Sequence, residues 1–282
     1  MKLRICALAL TLCSSLFALA AQPPALQYKS FKVPGATQTA IYAINNKGVV
    51  AGLYDDSAGA VHGFMAAGQK VTKLDDPNGT NTECFGINNN NEIVGFYHNS
   101  SGNPQGFLWA NGSFSDFGPS STVSYAAGIN DLGQITGEFL DSNGIYQGYL
   151  WDGSNFQTLT APNSNSTTAY GINNSGVITV QWTDSSGAVH ASEYNGGTYT
   201  QIDVPGATNS YVHDIDTAGD IVYSWQDSAG TFHGALLKGG KYIKFNAPSS
   251  TQTYGDGIND NLQIVGDYVN TSSVNFGFLL KY

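Results

Sequence analysis

His213, Asp214 and Asp256 are the residues whose types invite chemistry, and Tyr211, Tyr254 and Glu83 accompany them. An imidazole beside two carboxylates and two phenols can hold a polyol, a cation or a side chain of a partner protein. The same groups can pass protons. A glycan-processing hydrolase or lyase using His213, Asp214, Asp256 or Glu83 is therefore the catalytic alternative. A hydrated, hydrogen-bonded plug is the structural reading of these residues, and a purely structural surface repeat protein is the third reading of the chain. No glycine-rich nucleotide loop, H-E-x-x-H, G-x-S-x-G or C-x-x-C pattern points elsewhere, and no cofactor or metal is implied.

A repeat sets these six residues apart. The pattern G-I-N-x-x-G-x-I-V-G-x-Y-x-D-S-x-G-x-x-H-G-F-L recurs around Ile44, Ile87, Ile129, Ile172, Ile215 and Ile258, at spacings of 43, 42, 43, 43 and 43 residues. Two positions before each anchor the column reads Tyr42, Phe85, Ala127, Tyr170, His213, Asp256. Four before, it reads Ala40, Glu83, Tyr125, Thr168, Tyr211, Tyr254. One before, Asp214 interrupts five small residues. The chemistry-bearing side chains are thus departures from symmetry on neighbouring repeats. A second set of departures is Glu138, Gln181, Ser224 and Asp267, in a column shared with Leu53 and Phe96. No repeat carries an inserted loop or lid, which counts against an elaborated catalytic site.

A period of about 40–45 residues is that of a four-stranded propeller blade. The fourth copy divides into strand-like pieces at 167–173, 177–183, 188–194 and 198–204, and no helical spacing of apolar residues appears after the first segment. Turns such as Asn45-Asn46-Lys47-Gly48 and Asp184-Ser185-Ser186-Gly187 place a short acceptor first and Gly fourth, as a type I turn with a glycine bulge requires. These aspartates are read as hairpin turns, not as calcium ligands. In the fourth strand the apolar pair falls three apart (Tyr199 and Ile202, Tyr242 and Phe245), which predicts a bulge there. A proline closes that strand each time, the mark of an exposed edge.

The expected fold is an all-β, six-bladed β-propeller with four antiparallel strands per blade; a β-solenoid is the competing architecture. The first strands would line a central channel and bring His213, Asp214 and Asp256 to its mouth. The last repeat stops after its third strand, and the missing fourth is found at residues 26–36, where Tyr28, Phe31 and Pro34 match Tyr242, Phe245 and Pro248. The N-terminal strand is expected to complete the last blade.

The chain has 282 residues, 11 % of them charged, and a net charge of −10. Residues 1–20 read as a secretory signal: Lys2 and Arg4, the apolar run Ile5–Leu16, and Ala18-Leu19-Ala20 as the cleavage site. No later run is apolar enough to span a bilayer. Residues 21–282 then carry nine lysines, no arginine and 21 acids, a net of −12, which excludes nucleic acid and anionic membrane surfaces as partners. Cys84 stands alone after cleavage, so no intrachain disulfide forms, and it reads as a small buried apolar residue. The expected location is extracytoplasmic: secreted, periplasmic or at the cell surface.

Val61-His62-Gly63-Phe64, Val189-His190-Ala191-Ser192 and Phe232-His233-Gly234-Ala235 resemble the signature of bacterial extracellular HAF repeats, with Gln105-Gly106-Phe107 and Gln147-Gly148-Tyr149 as variants. The resemblance spans all six repeats. It implies a secreted or surface-exposed bacterial protein, with no activity attached to the repeat itself. The expected function is therefore a non-catalytic binding or scaffold propeller, recognising glycans or an extracellular protein through the channel mouth.

Overall fold

The computed structural model describes residues 26–282, which contain 24 β-strands and no helix. Residues 1–20, expected from the sequence to be a secretory signal, lie outside the described residues. After β1 (Gln27–Phe31), blade 1 is β2 (Gln38–Ile44), β3 (Val49–Asp55), β4 (Val61–Ala67) and β5 (Lys70–Leu74). Blade 2 is β6 (Thr80–Ile87), β7 (Ile93–His98), β8 (Pro104–Ala110) and β9 (Ser113–Asp116); blade 3 is β10 (Ser124–Ile129), β11 (Ile135–Leu140), β12 (Tyr146–Trp151) and β13 (Phe156–Leu159). Blade 4 is β14 (Ser166–Ile172), β15 (Ile178–Thr183), β16 (Val189–Asn195) and β17 (Thr198–Gln201). Blade 5 is β18 (Asn209–Ile215), β19 (Ile221–Gln226), β20 (Phe232–Lys238) and β21 (Lys241–Phe245); blade 6 has β22 (Ser250–Ile258), β23 (Gln263–Asn270) and β24 (Asn275–Lys281). β1 is its fourth strand, antiparallel to β24 from Gln27↔Lys281 to Phe31↔Gly277. The fold is a six-bladed β-propeller closed by its first strand, as expected.

The hairpin turns form as the sequence requires. Asn45 Oδ1 accepts from Lys47 N and Val49 N, both at 3.0 Å, and Gly48 takes φ +72°. Asp184 Oδ1 likewise accepts from Ser186 N and Ala188 N. The recurring histidine then has a structural role. His190 Nε2 lies 3.4 Å from Asp184 Oδ2, its Nδ1 2.8 Å from Asp203 Oδ2, and its ring stacks on Trp182 at 4.4 Å. It ties the β15–β16 turn to the segment after β17. His62 and His233 repeat the arrangement, and Gln147 Nε2 substitutes at Asp141.

The turn asparagines also join the blades. Asn45 Nδ2 donates to Asn88 O, Asn88 to Asn130 O, Asn130 to Asn173 O, Asn173 to Asp216 O and Asn259 to Asn45 O, at 2.9–3.2 Å. The sixth link would start at Asp216. A carboxylate has no N–H to give, so the girdle is open there.

The bulge lies elsewhere than expected. Pairings such as β16–β17 and β20–β21 run without a register shift. The fourth strand breaks apolar alternation because it packs on both neighbours: the Tyr242 hydroxyl donates to Ile202 O, while Phe245 on the other face meets Phe278 at 6.3 Å. The shifts fall in the first strand of every blade, between Ile41 and Ala43, Cys84 and Gly86, Ala126 and Gly128, Ala169 and Ile172, Val212 and Ile215, and Gly255 and Gly257. The residues left unpaired include the whole column Tyr42, Phe85, Ala127, Tyr170, His213, Asp256. A bulge frees a residue from the ladder and re-aims its side chain, here onto the channel axis.

Inside each blade, volume is conserved across the second and third strands. Gly52 faces Phe64, Gly95 faces Phe107, Gly137 faces Tyr149 and Gly266 faces Phe278. In blade 4 the pair is Val180 with Ser192, and in blade 5 Tyr223 with Ala235. In five blades one large side chain fills the same space from either strand, and in blade 4 two smaller ones share it. Cys84 is fully buried in this layer, and burial pushes its thiol well up, so it is inert packing.

Candidate functional site

The channel has two unlike ends. At the end capped by the asparagine turns, a small recess of about 80 Å³ is rimmed by backbone and Asn and Asp side chains. At the other end it opens into a cavity of about 580 Å³ lined by residues of blades 1, 4, 5 and 6. Three sets of positions build this wide mouth. The bulged column supplies Tyr42, Tyr170, His213 and Asp256; the column two residues earlier supplies Tyr211 and Tyr254; the second strand supplies Gln181, Ser224 and Asp267. The last two sets face each other across the ladder, as Thr168↔Gln181, Tyr211↔Ser224 and Tyr254↔Asp267.

At the base of the cavity, His213 Nε2 is 3.7 Å from Asp256 Oδ1, and Tyr170 meets the imidazole edge-on at 5.4 Å. Burial pushes His213 down to about 4, so the imidazole is neutral near neutral pH. Burial and the Asp267 carboxyl push Asp256 far above the usual carboxylate range. Asp267 is itself raised by burial, although the Asn275 amide and the Asp256 carboxyl donate to it. Burial thus works against charge on both His213 and Asp256, and so against an ion pair between them.

Three oxygens at this site find no donor: Asp256 Oδ2, Gln181 Oε1 and Asn275 Oδ1. Buried acceptors without donors are costly and point to a ligand or water that supplies O–H or N–H. The wall beside them is aromatic. Phe232 lies 5.4 Å from Tyr211 and 4.9 Å from Tyr254, ring centre to ring centre. The arrangement is an apolar wall facing a row of acceptors, with no lysine among the lining residues.

Of the six residues singled out in the sequence, His213, Asp256, Tyr211 and Tyr254 line this one cavity. Asp214 does not join them. Its carboxyl accepts from Ile215 N at 2.9 Å and Ile258 N at 3.1 Å and lies in the channel toward the narrow end, raised by burial to about 7. Glu83 stands apart in blade 2, opposite Phe96, and burial raises it to about 7. The first-strand bulge explains the separation of Asp214: it leaves His213 and Asp214 both unpaired in the channel and turns them toward its opposite ends. Asp267 is the main addition. It was visible as a departure in its column, and its direct pairing with Tyr254 is the signal that links it to the site. Among the described residues no group of three or more His, Cys, Asp or Glu side chains is arranged to hold a metal ion.

No protein-family model and no curated protein sequence matches this chain. Solved structures do resemble it in shape. AofleA from Arthrobotrys oligospora aligns with a TM-score of 0.60 at 12 % identity, covering 91 % of this chain and 87 % of its own. The SapL1 lectin, solved with α-methyl fucoside, gives 0.57 at 12 % identity, over 85 % and 90 % of the two chains. Trypanosoma rangeli sialidase gives 0.58 at 9 % identity, over 93 % of this chain and 60 % of its own. At such identities the likeness establishes the propeller fold alone. AofleA has also been solved with three arginines replaced by alanine; residues 26–282 of this chain contain no arginine.

Proposed function

We propose that this protein is a non-catalytic carbohydrate-binding propeller that takes a glycan in the wide mouth of its channel. The observation that carries this reading is the pairing of unsatisfied acceptors with an aromatic wall. Sugar hydroxyls donate to Asp256 Oδ2, Gln181 Oε1 and Asn275 Oδ1, and the C–H face of a pyranose covers the Tyr211–Phe232–Tyr254 surface. SapL1 illustrates that a propeller of this shape can hold a sugar. Recognition here uses amides, carboxyls and phenols, since residues 26–282 contain no arginine.

Binding is favoured over glycoside hydrolysis by geometry. Hydrolysis needs two carboxyls about 5–5.5 Å apart, or roughly 6.5–9.5 Å apart for inversion. Of the carboxyls in the catalytic alternative only Asp256 lines the wide mouth; Asp214 lies toward the narrow end and Glu83 stands in blade 2, so neither is placed across a bound sugar from it. The same proposal includes export through residues 1–20 and the kinship with HAF repeats suggested by the His-Gly-Phe motif.

A melting-temperature screen against oligosaccharides, fucosides included, with and without calcium, tests the reading. A ligand at about 100 times its dissociation constant adds roughly 2.7 kcal/mol, a rise of roughly 5–10 °C for a domain of this size. The shift should vanish in His213→Ala and Tyr254→Ala. A flat panel overturns the proposal, and release of reducing ends from any polysaccharide overturns its non-catalytic part.

A further inference from the structure

We propose that a second cleft, between blades 2, 3 and 4, binds a small organic ammonium ion of the trimethylammonium type. This inference does not depend on the glycan reading, because the cleft is a separate cavity that shares only Tyr170 with the lining of the wide mouth. It measures about 220 Å³, the space of about seven water molecules. Four aromatic rings surround it: Phe85, Phe96, Tyr125 and Tyr170. Phe96 and Tyr125 meet edge-to-face at 4.8 Å, and Phe85 lies 5.7 Å from Phe96.

Into this aromatic box comes one acid. Glu138 pairs with Tyr125 across the ladder, and its Oε2 accepts from Thr168 Oγ1 at 2.5 Å. Thr168 is the one hydroxyl of the lining besides the two phenols, and it is already committed to Glu138. A sugar would therefore find few partners here. Desolvation raises the Glu138 carboxyl, and only the Thr168 hydroxyl opposes that; no cation of the protein is close enough to contribute. Glu83, facing Phe96 on the next ladder, is likewise raised by burial, with no basic group beside it.

Aromatic faces attract cations through their quadrupole, most strongly where the cation is desolvated. A carboxylate at the same site adds charge complementarity. A methylated ammonium suits both, since it is positively charged yet sheds water easily and offers methyl groups to the rings. The wide mouth has acceptors lacking donors; this cleft has rings and a carboxyl lacking a cation.

Isothermal titration of the purified protein with choline tests the assignment. Saturable binding is expected, with its uncharged carbon isostere, dimethylbutanol, at least about tenfold weaker. Glu138→Gln and Phe96→Leu should each weaken choline by about tenfold, while both variants melt close to the wild type. Phe96→Leu keeps an apolar side chain and removes the ring face, so it separates cation recognition from apolar contact. No saturation by about 0.1 M choline overturns the proposal. Equal affinity for choline and the isostere overturns it as well, as does unchanged choline affinity in Glu138→Gln.

Discussion

At the scale of single residues, the unusual feature is how many acids are buried without a cation. Glu83 and Asp214 are both raised to about 7 by burial. A carboxyl whose folded value lies above its unfolded one binds more protons in the folded state. Stability from such a group is full at low pH and falls as pH rises from about 4 through about 7. The protein should therefore melt at lower temperature at pH 8 than at pH 5. Glu83→Gln should recover on the order of 3 kcal/mol at pH 8 and much less at pH 5. If Glu83→Gln gives the same change in melting temperature at both pH values, Glu83 is ionised throughout.

Asp216 gives a second test at this scale. The other five repeats carry Asn there and pass one side-chain hydrogen bond to the next blade. Asp216→Asn keeps the oxygen that caps the turn and supplies the missing donor to Asn259 O. A gain of about 1 kcal/mol is expected, or roughly 2–4 °C in melting temperature. A loss would show that the open link at Asp216 is required by something other than packing.

At the scale of elements, the strands and turns were legible because their chemistry repeats six times. Turn position, strand alternation and the proline after each fourth strand all read correctly. The bulge did not, because the apolar pair three apart in Tyr242 and Phe245 looks the same whether a strand is bulged or is packed on both faces. Only the neighbouring blades, through Ile202 and Phe278, distinguish the two cases. The site was half legible for the same reason. Columns in the alignment of repeats gave His213, Asp256, Tyr211 and Tyr254. Asp214 was misplaced because the first-strand bulge, which decides where neighbours point, was assigned to another strand.

The volume exchange between second and third strands can be tested in one blade. A Cβ on Gly95 would lie 1.9 Å from Glu83 O and 3.0 Å from the Phe107 ring. Gly95→Tyr alone should destabilise by several kcal/mol, and Phe107→Ala alone by about 3–5 kcal/mol through the cavity it leaves. The double variant copies the Tyr223–Ala235 pair of blade 5 and should recover at least about 2 kcal/mol of the summed loss. Additive losses in denaturant unfolding would show that the backbone, and not the shared volume, sets the choice of glycine.

At the scale of the whole molecule, the ring is held by like contacts at five junctions and by a borrowed strand in the sixth blade. Val33 and Ala36, just after β1, are buried with Ile41, Ile44, Phe64 and Val265, so the closing segment ties blade 6 to blade 1. Deleting residues 26–36 removes the edge strand of blade 6 and uncovers this cluster. The expected result is a fall in melting temperature of at least about 6–12 °C, since more than about 3 kcal/mol is lost at about 2–4 °C for each. An unchanged melting curve would mean that the ring does not depend on its closing strand.

Closure also imposes an order in time. The chain is made from its N-terminus, so β1 is the first strand to leave the ribosome and the last to find its mate. Gln27 waits for Lys281, and every blade between them can form from local hairpins before that meeting. During this interval β1 is an unpaired edge carrying Tyr28 and Phe31, open to the wrong neighbour. A chain cut short anywhere before β24 never reaches its final step, however well its first five blades have formed.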